Sequence, residues 1–352
     1  MKLLALTKYD SLGASSRMRI LQYIPFLKEH DFTVDVKPLF TNKYVESLQT
    51  NRRNHLSILH AYFKRISLVL SLRNYDVVWI EKEALPWAPY FLEKILFLSV
   101  RPYILDYDDA VFHWYDQSRN SFIKFFLGSK HRSLIGNAKL VIVGNSYLER
   151  YANRVSAQKV LNLPTSIDYK KYSKFNFINT ESTSAVKIGW IGQQSTAYNL
   201  NPLKEIFEEL ILKDLMSLTL IGIDGKSLNL PVNALPWSET TEVNLISKFD
   251  IGIMPLQDGP FERGKCGYKL IQYMACGIPV IGSGVGENKN IIEHGKNGFI
   301  ANSPSEWMKY LLVLINDPNL RKSMGSEGRK KVINRYTTQA TAPKLVNSFR
   351  EI

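Results

Sequence analysis

The sequence predicts an α/β protein made of two doubly wound domains. Three observations predict it. Short apolar, strand-like segments alternate with helical stretches in two separate runs. A polar stretch rich in Asn, Ser, Thr and Lys, Tyr169–Ser184 (YKKYSKFNFINTESTS), separates the runs. The length, 352 residues, is too great for one ordinary core and suits two α/β domains.

The strands of the first run are expected at Lys2–Thr7, Phe32–Phe40, Asp76–Glu81, Tyr103–Asp108, Lys139–Gly144 and Lys159–Leu163. Those of the second are expected at Lys187–Gly192, Leu218–Ile223, Asp250–Pro255, Pro279–Gly282 and Gly298–Ala301. The boundary falls near residue 175. The expected domains are residues 1–172 and 185–335, with a C-terminal helix in 336–352 packing back toward the first. Ligands of such sheets bind beyond the carboxyl ends of the strands, so a cleft between the domains is the default site.

The bulk numbers narrow the class. With 45% hydrophobic and 22% charged residues, the balance is that of a globular protein and excludes a disordered chain. The most apolar stretch, Leu85–Val100, is broken by Pro86, Pro89, Glu93 and Lys94 and cannot supply the ~20 apolar residues of a membrane span. The opening MKLLALTKYD reads as a buried first strand and not as a signal peptide. Cys266 and Cys276 form no disulfide framework, and the six histidines make no metal-ligand pattern, so a reducing cytoplasm and no metal are expected. Lys plus Arg exceed the acids by 45 to 32, a net charge of +13, which favours a polyanionic partner. No nucleic-acid-binding motif accompanies that charge, so nucleic acid is not expected.

The most informative segment is Gly264–Gly286, GKCGYKLIQYMACGIPVIGSGVG. Lys269–Cys276 has helical spacing with Leu270, Ile271, Met274 and Ala275 on its apolar side, Gly277 as its stop and Pro279 leading into the next strand. A helix N-terminus offers unpaired N–H groups and partial positive charge to an anion. Arg263, Lys265 and Lys269 cluster around that turn, which makes it a candidate diphosphate site. The alternative is an amphipathic helix with solvated lysines.

This segment resembles the donor-binding motif of the group 1 (family 4) glycosyltransferases, and the resemblance extends over nearly the whole chain. DVVWIEKEALP, ILDYDDAVF, LVIVGNSYLERYA and LPTSID resemble the family's N-terminal half; IGWIG, DIGIMPLQD and NGFIA followed by SEW resemble its C-terminal half. The resemblance implies the GT-B fold, two Rossmann-like domains facing each other across a cleft, and use of a nucleotide-sugar donor. The family carries two glutamates eight positions apart around this helix; here Gly264 and Gln272 occupy those positions. The resemblance implies that Gln272 hydrogen-bonds the donor ribose, while Gly264 gives up a contact to the transferred sugar. Many relatives also place a phosphate-binding Arg after the first strand of the second domain, where this chain has Gly189-Trp190-Ile191-Gly192. Arg263, Lys265 and Lys269 are then the substitutes for that charge, in a divergent branch with a GKxxxKxxQ motif.

Further candidates lie at other strand ends. The loop TKYDSLGASSRMR contains Gly13, Ser15, Ser16 and Arg17 and opens a helix. Its N–H groups could approach a phosphate or the acceptor, and the family has a glycine-rich loop here; the alternative is a plain capping turn. Asp106-Tyr107-Asp108-Asp109, with His113 close behind, could bind a cation, act as a base or hold sugar hydroxyls. The resemblance favours Asp108 or Asp109 touching the acceptor or the transferred sugar. Asn145-Ser146 reads first as a helix cap, and Glu287, after Gly284 and Gly286, is placed near the donor by family analogy.

Two stretches mix basic and apolar residues: Asn51–Tyr75 and Ser121–Arg132 (SFIKFFLGSKHR). Each reads either as a helix lying in an anionic headgroup layer or as a helix packed on the sheet with a solvated basic face. The expected function is retaining transfer of a sugar from a nucleotide-sugar to a glycan or lipid-linked acceptor in surface polysaccharide assembly. It would take place in the cytoplasm, with peripheral contact at the inner face of the membrane. A non-catalytic subunit of the same fold and a sugar-nucleotide epimerase are the alternatives.

Overall fold

The computed structural model describes residues 1–49, 55–98, 100–174 and 185–352. The parts of the linker and of the first basic stretch that fall at 175–184 and 51–54 lie outside these residues. By internal packing the chain divides into two units: Met1–Ser166 with Gly264–Cys266 and Thr341–Ile352, and Ile167–Arg263 with Gly267–Ala340.

The first unit holds six strands: β1 Lys2–Tyr9, β2 Thr33–Phe40, β3 Val77–Glu81, β4 Tyr103–Tyr107, β5 Leu140–Val143 and β6 Val160–Asn162. They form one parallel sheet in the order β2-β1-β3-β4-β5-β6. Successive residues point to opposite faces, and both faces are buried. Leu4, Leu6, Val78, Ile80 and Leu105 pack on one side, and Leu3, Ala5, Val77, Trp79 and Ile104 on the other. From β2 onward every connection advances in the same direction, so right-handed crossovers put their helices on one face. Leu72, Phe97 and Leu134 of those helices share the core of Leu4 and Leu6. The opposite face takes Ile20, Tyr23 and Leu27 from the β1–β2 connection and Leu345 and Phe349 from the last helix, Thr338–Arg350.

The second unit repeats the plan with β7 Val186–Ile191, β8 Met216–Ile221, β9 Val232–Leu235, β10 Ile251–Met254, β11 Val280–Gly282 and β12 Gly298–Ile300. The order is β12-β11-β10-β7-β8-β9, again parallel. The strand β9 was not expected from the sequence. It is a half-exposed edge strand between Pro231 and Pro236, without the apolar run of a buried strand. It follows β8 through a short 3-10 turn, Lys226–Leu228, between left-handed residues at Gly225 and Asn229.

The helix Tyr268–Ala275 ends as its glycine dictates. Gly277 takes φ +76°, its N–H bonds Met274 O at 2.9 Å, and Ile278 N–H bonds Tyr273 O at 3.1 Å, closing a Schellman motif. Its two-sided character is a correction to the sequence reading. From Leu270 to Ala275 every residue is buried, because the helix lies between the sheet and a second helix, Pro318–Arg335.

Candidate functional site

In a doubly wound sheet the chain leaves in opposite directions at one point, and the carboxyl ends there flank a crevice. In the first unit this point lies between β1 and β3, and it is lined with charge. β1 ends beside Lys8, β3 delivers Glu81 and Lys82, and β4 runs into Asp108 and Asp109.

Lys82 is the residue that sequence reasoning missed. It takes φ +63°, a left-handed conformation that costs a non-glycine residue ~1 kcal/mol or more. That turn directs Lys82 Nζ to 2.7 Å from Asp108 Oδ1 and 3.9 Å from Asp109 Oδ2. The signal available in the sequence was the run Glu81-Lys82-Glu83 immediately after the apolar strand DVVWI. Around it, Ser15 Oγ donates to Asp108 Oδ2 at 2.7 Å, and Ser16 Oγ donates to Glu81 Oε2 at 2.6 Å. Glu83 is fixed from behind by Lys130, whose buried ammonium bridges Glu83 and Glu93 at 2.6 and 2.7 Å.

These contacts separate the two aspartates. Burial raises the Asp108 carboxyl, but the Lys82 charge and the hydrogen bonds from Lys82 and Ser15 outweigh it and hold Asp108 below its ordinary value. Burial and then the Asp108 charge push Asp109 up. The Asp109 side chain keeps 31% of its surface exposed against 14% for Asp108. Burial alone would lower the Lys82 ammonium; Asp108 and Asp109 reverse this and raise it. Burial and the like charge of Lys82 pull Lys8 down. Neighbouring carboxyls pushed apart in this way are the usual arrangement for dividing proton-transfer roles.

The other members of the aspartate run are occupied structurally. Asp106 is buried against Arg19 at 2.7 Å. His113 pairs with Asp116 and Tyr147 at 2.8 Å each. Of the N-terminal loop, Ser15 and Ser16 join the charged cluster, whereas Arg17 is buried and donates to Ser11 O at 2.8 Å. Gly13 caps the helix Ala14–Arg19, and a side chain there would strike Tyr9 Cβ at 2.3 Å.

The GKCG segment is divided between the units. Gly264–Cys266 pack with the first, where Asn145 Nδ2 donates to Gly264 O at 2.7 Å and Cys266 Sγ donates to Asp108 O at 3.0 Å. The same Asn145 caps the helix Ser146–Arg154 by accepting from Leu148 N. This brings Lys265 Nζ to 3.8 Å from Asp109 Oδ1. A side chain at Gly264 would meet Ala110 Cβ at 2.5 Å, so this packing has no room for the glutamate of the family motif.

In the second unit the corresponding point lies between β7 and β10. Lys269, in the first turn of its helix, lays its ammonium 3.9 Å from the centre of the Trp190 ring. A Cβ at Gly192 would lie 2.3 Å from the Trp190 ring and 2.7 Å from Lys269 Nζ, so the glycine after β7 leaves space for the ring and for the ammonium against it. Arg263 is engaged differently, in a two-pronged pair with Asp258 at 2.7 and 3.0 Å. Gln272 is 3% exposed and donates to Tyr172 OH at 3.2 Å, an inward placement that does not offer its amide to a ribose. Glu287 is buried and accepts from Asn290 Nδ2 at 3.1 Å. A cavity of about 420 Å³ opens beyond the ends of β10, β11 and β12, lined among others by Asn199, Asp258, Ser283, Gly284 and Trp307. Among the described residues no His, Cys, Asp and Glu grouping could hold a metal ion, and no helix is long and apolar enough to cross a membrane.

Two parallel six-stranded sheets with flanking helices place the chain in the GT-B class of folds. Sucrose-phosphate synthase of Thermosynechococcus elongatus superposes with a TM-score of 0.72 at 15% identity, over 100% of this chain and 99% of that one. The Anabaena protein HepE, solved with UDP, gives 0.67 at 16% identity over 100% of both chains. At such identities the likeness is one of fold. Residues 185–317, most of the second unit, match the model described as glycosyl transferases group 1. Over 93 residues, 26% of this chain, the sequence is 28% identical to N-acetyl-alpha-D-glucosaminyl L-malate synthase of Bacillus anthracis. The match spans 23% of that protein's length, and the other curated relatives are matched over 19% and 22% of theirs.

Proposed function

We propose that the protein transfers a sugar from a nucleoside-diphosphate sugar to a glycan or lipid-linked acceptor hydroxyl in surface polysaccharide assembly, at the inner face of a membrane. The observation that carries the reading is Lys269. Its ammonium lies beside Gly192 at the second sheet's switch point, where the sequence lacks the phosphate-binding arginine of many relatives. It sits inside the stretch that matches the group 1 family. HepE, a protein of the same fold, has been solved with UDP-glucose, which supports a uridine nucleotide as the first donor to test.

In this reading Lys269 and the N–H groups opening its helix stabilise the diphosphate as negative charge develops on it. The anomeric carbon becomes oxocarbenium-like, the acceptor oxygen bonds to it, the bond to the phosphate oxygen breaks, and the departing phosphate takes the acceptor proton, retaining the configuration. Asp109, the more exposed carboxyl, holds the acceptor hydroxyl; Asp108, Ser15 and Lys82 position it. No metal is required in this scheme, because the counter-charge comes from side chains.

The test is a thermal-shift series with UDP, GDP, ADP, CMP and their sugar conjugates, with magnesium or with chelator. Selective stabilisation by one nucleoside diphosphate, kept in chelator and lost in Lys269→Ala, is the expected result. Stabilisation unchanged in Lys269→Ala would overturn the phosphate assignment. Two observations favour a second reading, a non-catalytic subunit that binds a sugar nucleotide: Gly264 excludes the family's glutamate, and Gln272 is turned inward. Product analysis separates these two and the epimerase alternative, since transfer yields a larger glycan, an epimerase yields only an altered free sugar nucleotide, and a binding subunit yields neither.

A further inference from the structure

The crossovers on one face of the first sheet leave apolar side chains turned to solvent. In the helix His55–Ser67, Leu56, Leu59, Phe63 and Ile66 recur at helical spacing and are all exposed, Phe63 at 72%. Leu70, in the turn that follows, is 90% exposed. The β3–β4 connection adds Trp87, Phe91 and Ile95, and the β4–β5 connection adds Phe122 at 70% and Phe125 at 80%. These segments touch one another. Tyr62 OH donates to Pro86 O at 2.6 Å, Trp87 packs edge-on against Tyr115 at 5.0 Å, and Leu68–Asn74 contacts Lys94–Leu98. Right-handed connection from β2 to β5 puts all three on the same side of the sheet. Apolar groups this concentrated on one face mark an interaction surface.

Charge selects the occupant. Lys64, Arg73, Lys94, Arg119, Lys124 and Arg132 are exposed within residues 55–74, 87–98 and 113–132. Of the carboxylates in those ranges, Glu93 is buried against Lys130 and Asp116 is half-buried against His113, so none is exposed. A second copy docked face to face would set these cations against their own kind. Leucine and aromatic side chains interleaved with long cations suit a headgroup layer, where rings enter and ammonium or guanidinium groups meet lipid phosphates.

We propose that this face of the first unit docks on an anionic lipid bilayer. The surface deepens the functional reading by naming where a lipid-linked acceptor is met, and it rests on that reading only for this purpose. The experiment is sedimentation of the full chain with phosphatidylcholine vesicles, with and without about 30% phosphatidylglycerol, at low and high salt. Binding to the anionic vesicles alone, weakened by salt, is expected. A variant combining Leu59→Ser, Phe63→Ser, Phe122→Ser and Phe125→Ser should bind them at least about tenfold more weakly. These positions are exposed, so its melting temperature and its stabilisation by UDP should match the parent. No binding by the parent at low salt, or equal binding by the variant, would overturn the proposal. So would self-association of the parent that the variant abolishes, which would assign the face to a second copy. The UDP shift, read on the same samples, tells a failure of the docking surface from a failure of the transferase reading.

Discussion

The two switch points belong to sheets of nearly the same plan, yet they handle charge in opposite ways. At the first, Lys82, Asp108, Asp109 and Lys265 lie within 4 Å of a partner of opposite sign, and Ser15 and Ser16 complete the network. At the second, an ammonium lies over an indole beside a glycine, within a unit that opens a cavity of about 420 Å³. A mutually neutralised network is suited to orienting a neutral hydroxyl. A cation in the first turn of a helix adds its field to that of the helix N-terminus, where an anion is favoured. The proposed function puts acceptor binding in the first unit and phosphate binding in the second, and on that reading substitutions in each should fail in different ways.

The largest effect is expected from Asp109→Asn, which should lower turnover by about 10²–10³-fold while donor affinity moves less than about twofold. Steady-state kinetics and calorimetric titration with donor read the two separately; equal losses in both would erase the contrast. The same variant should melt slightly higher at neutral pH, by about 1–3 °C. The Asp109 carboxyl is raised, so its ionised form costs the fold stability above the ordinary carboxylate range, and the gain should vanish as the pH drops below it.

Next comes Lys82→Met, which leaves Asp108 buried without its cation and should cost about 2–4 kcal/mol in urea unfolding at pH 7. The Asp108 carboxyl is held low, so the stability it contributes is present above the unfolded value of about 4 and lost as pH falls through its folded value. The gap between parent and variant should therefore close in acid. Lys269→Ala should weaken UDP by about tenfold or more with little change in unliganded stability, the reverse of Lys82→Met. The smallest effect belongs to Gly192→Ala. Its Cβ would lie 2.3 Å from the Trp190 ring and 2.7 Å from Lys269 Nζ and displace both, weakening UDP by about two- to fivefold. Tightened binding there would show that the glycine serves something other than the lysine.

Much of the fold was legible from periodicity. All six strands of the first sheet lie where the segments between helical stretches put them, and β3, β4 and β5 are buried along their whole length. β9 escaped, since its four residues VNAL carry no buried apolar run and lie between two prolines. Gly277 announced its own left-handed helix stop. The candidate site was legible at the level of segments. The turn before Tyr268–Ala275, the loop opening Ala14–Arg19 and the end of β4 all lie at carboxyl ends of strands.

Side-chain assignments inside those segments were harder. Arg263, Lys265 and Lys269 read alike as cations near one turn, but Arg263 turns to Asp258, Lys265 to Asp109 and Lys269 to Trp190. Gln272 read as ligand-facing on a helix with one apolar side, whereas the packing of Pro318–Arg335 buries that helix all round.

The sequence by itself determined where most strands and helices form, which loops follow strand ends, and that residues 185–317 match a glycosyl transferases group 1 model, because periodicity and turn chemistry are local. The tertiary structure alone decided that Lys82 twists into a left-handed turn to join two aspartates 26 and 27 positions further along the chain. It also decided that apolar residues from three separate crossovers share one exposed face. Contacts of that kind depend on which strands lie side by side and on the handedness of the connections, and neither is written in any local run of residues.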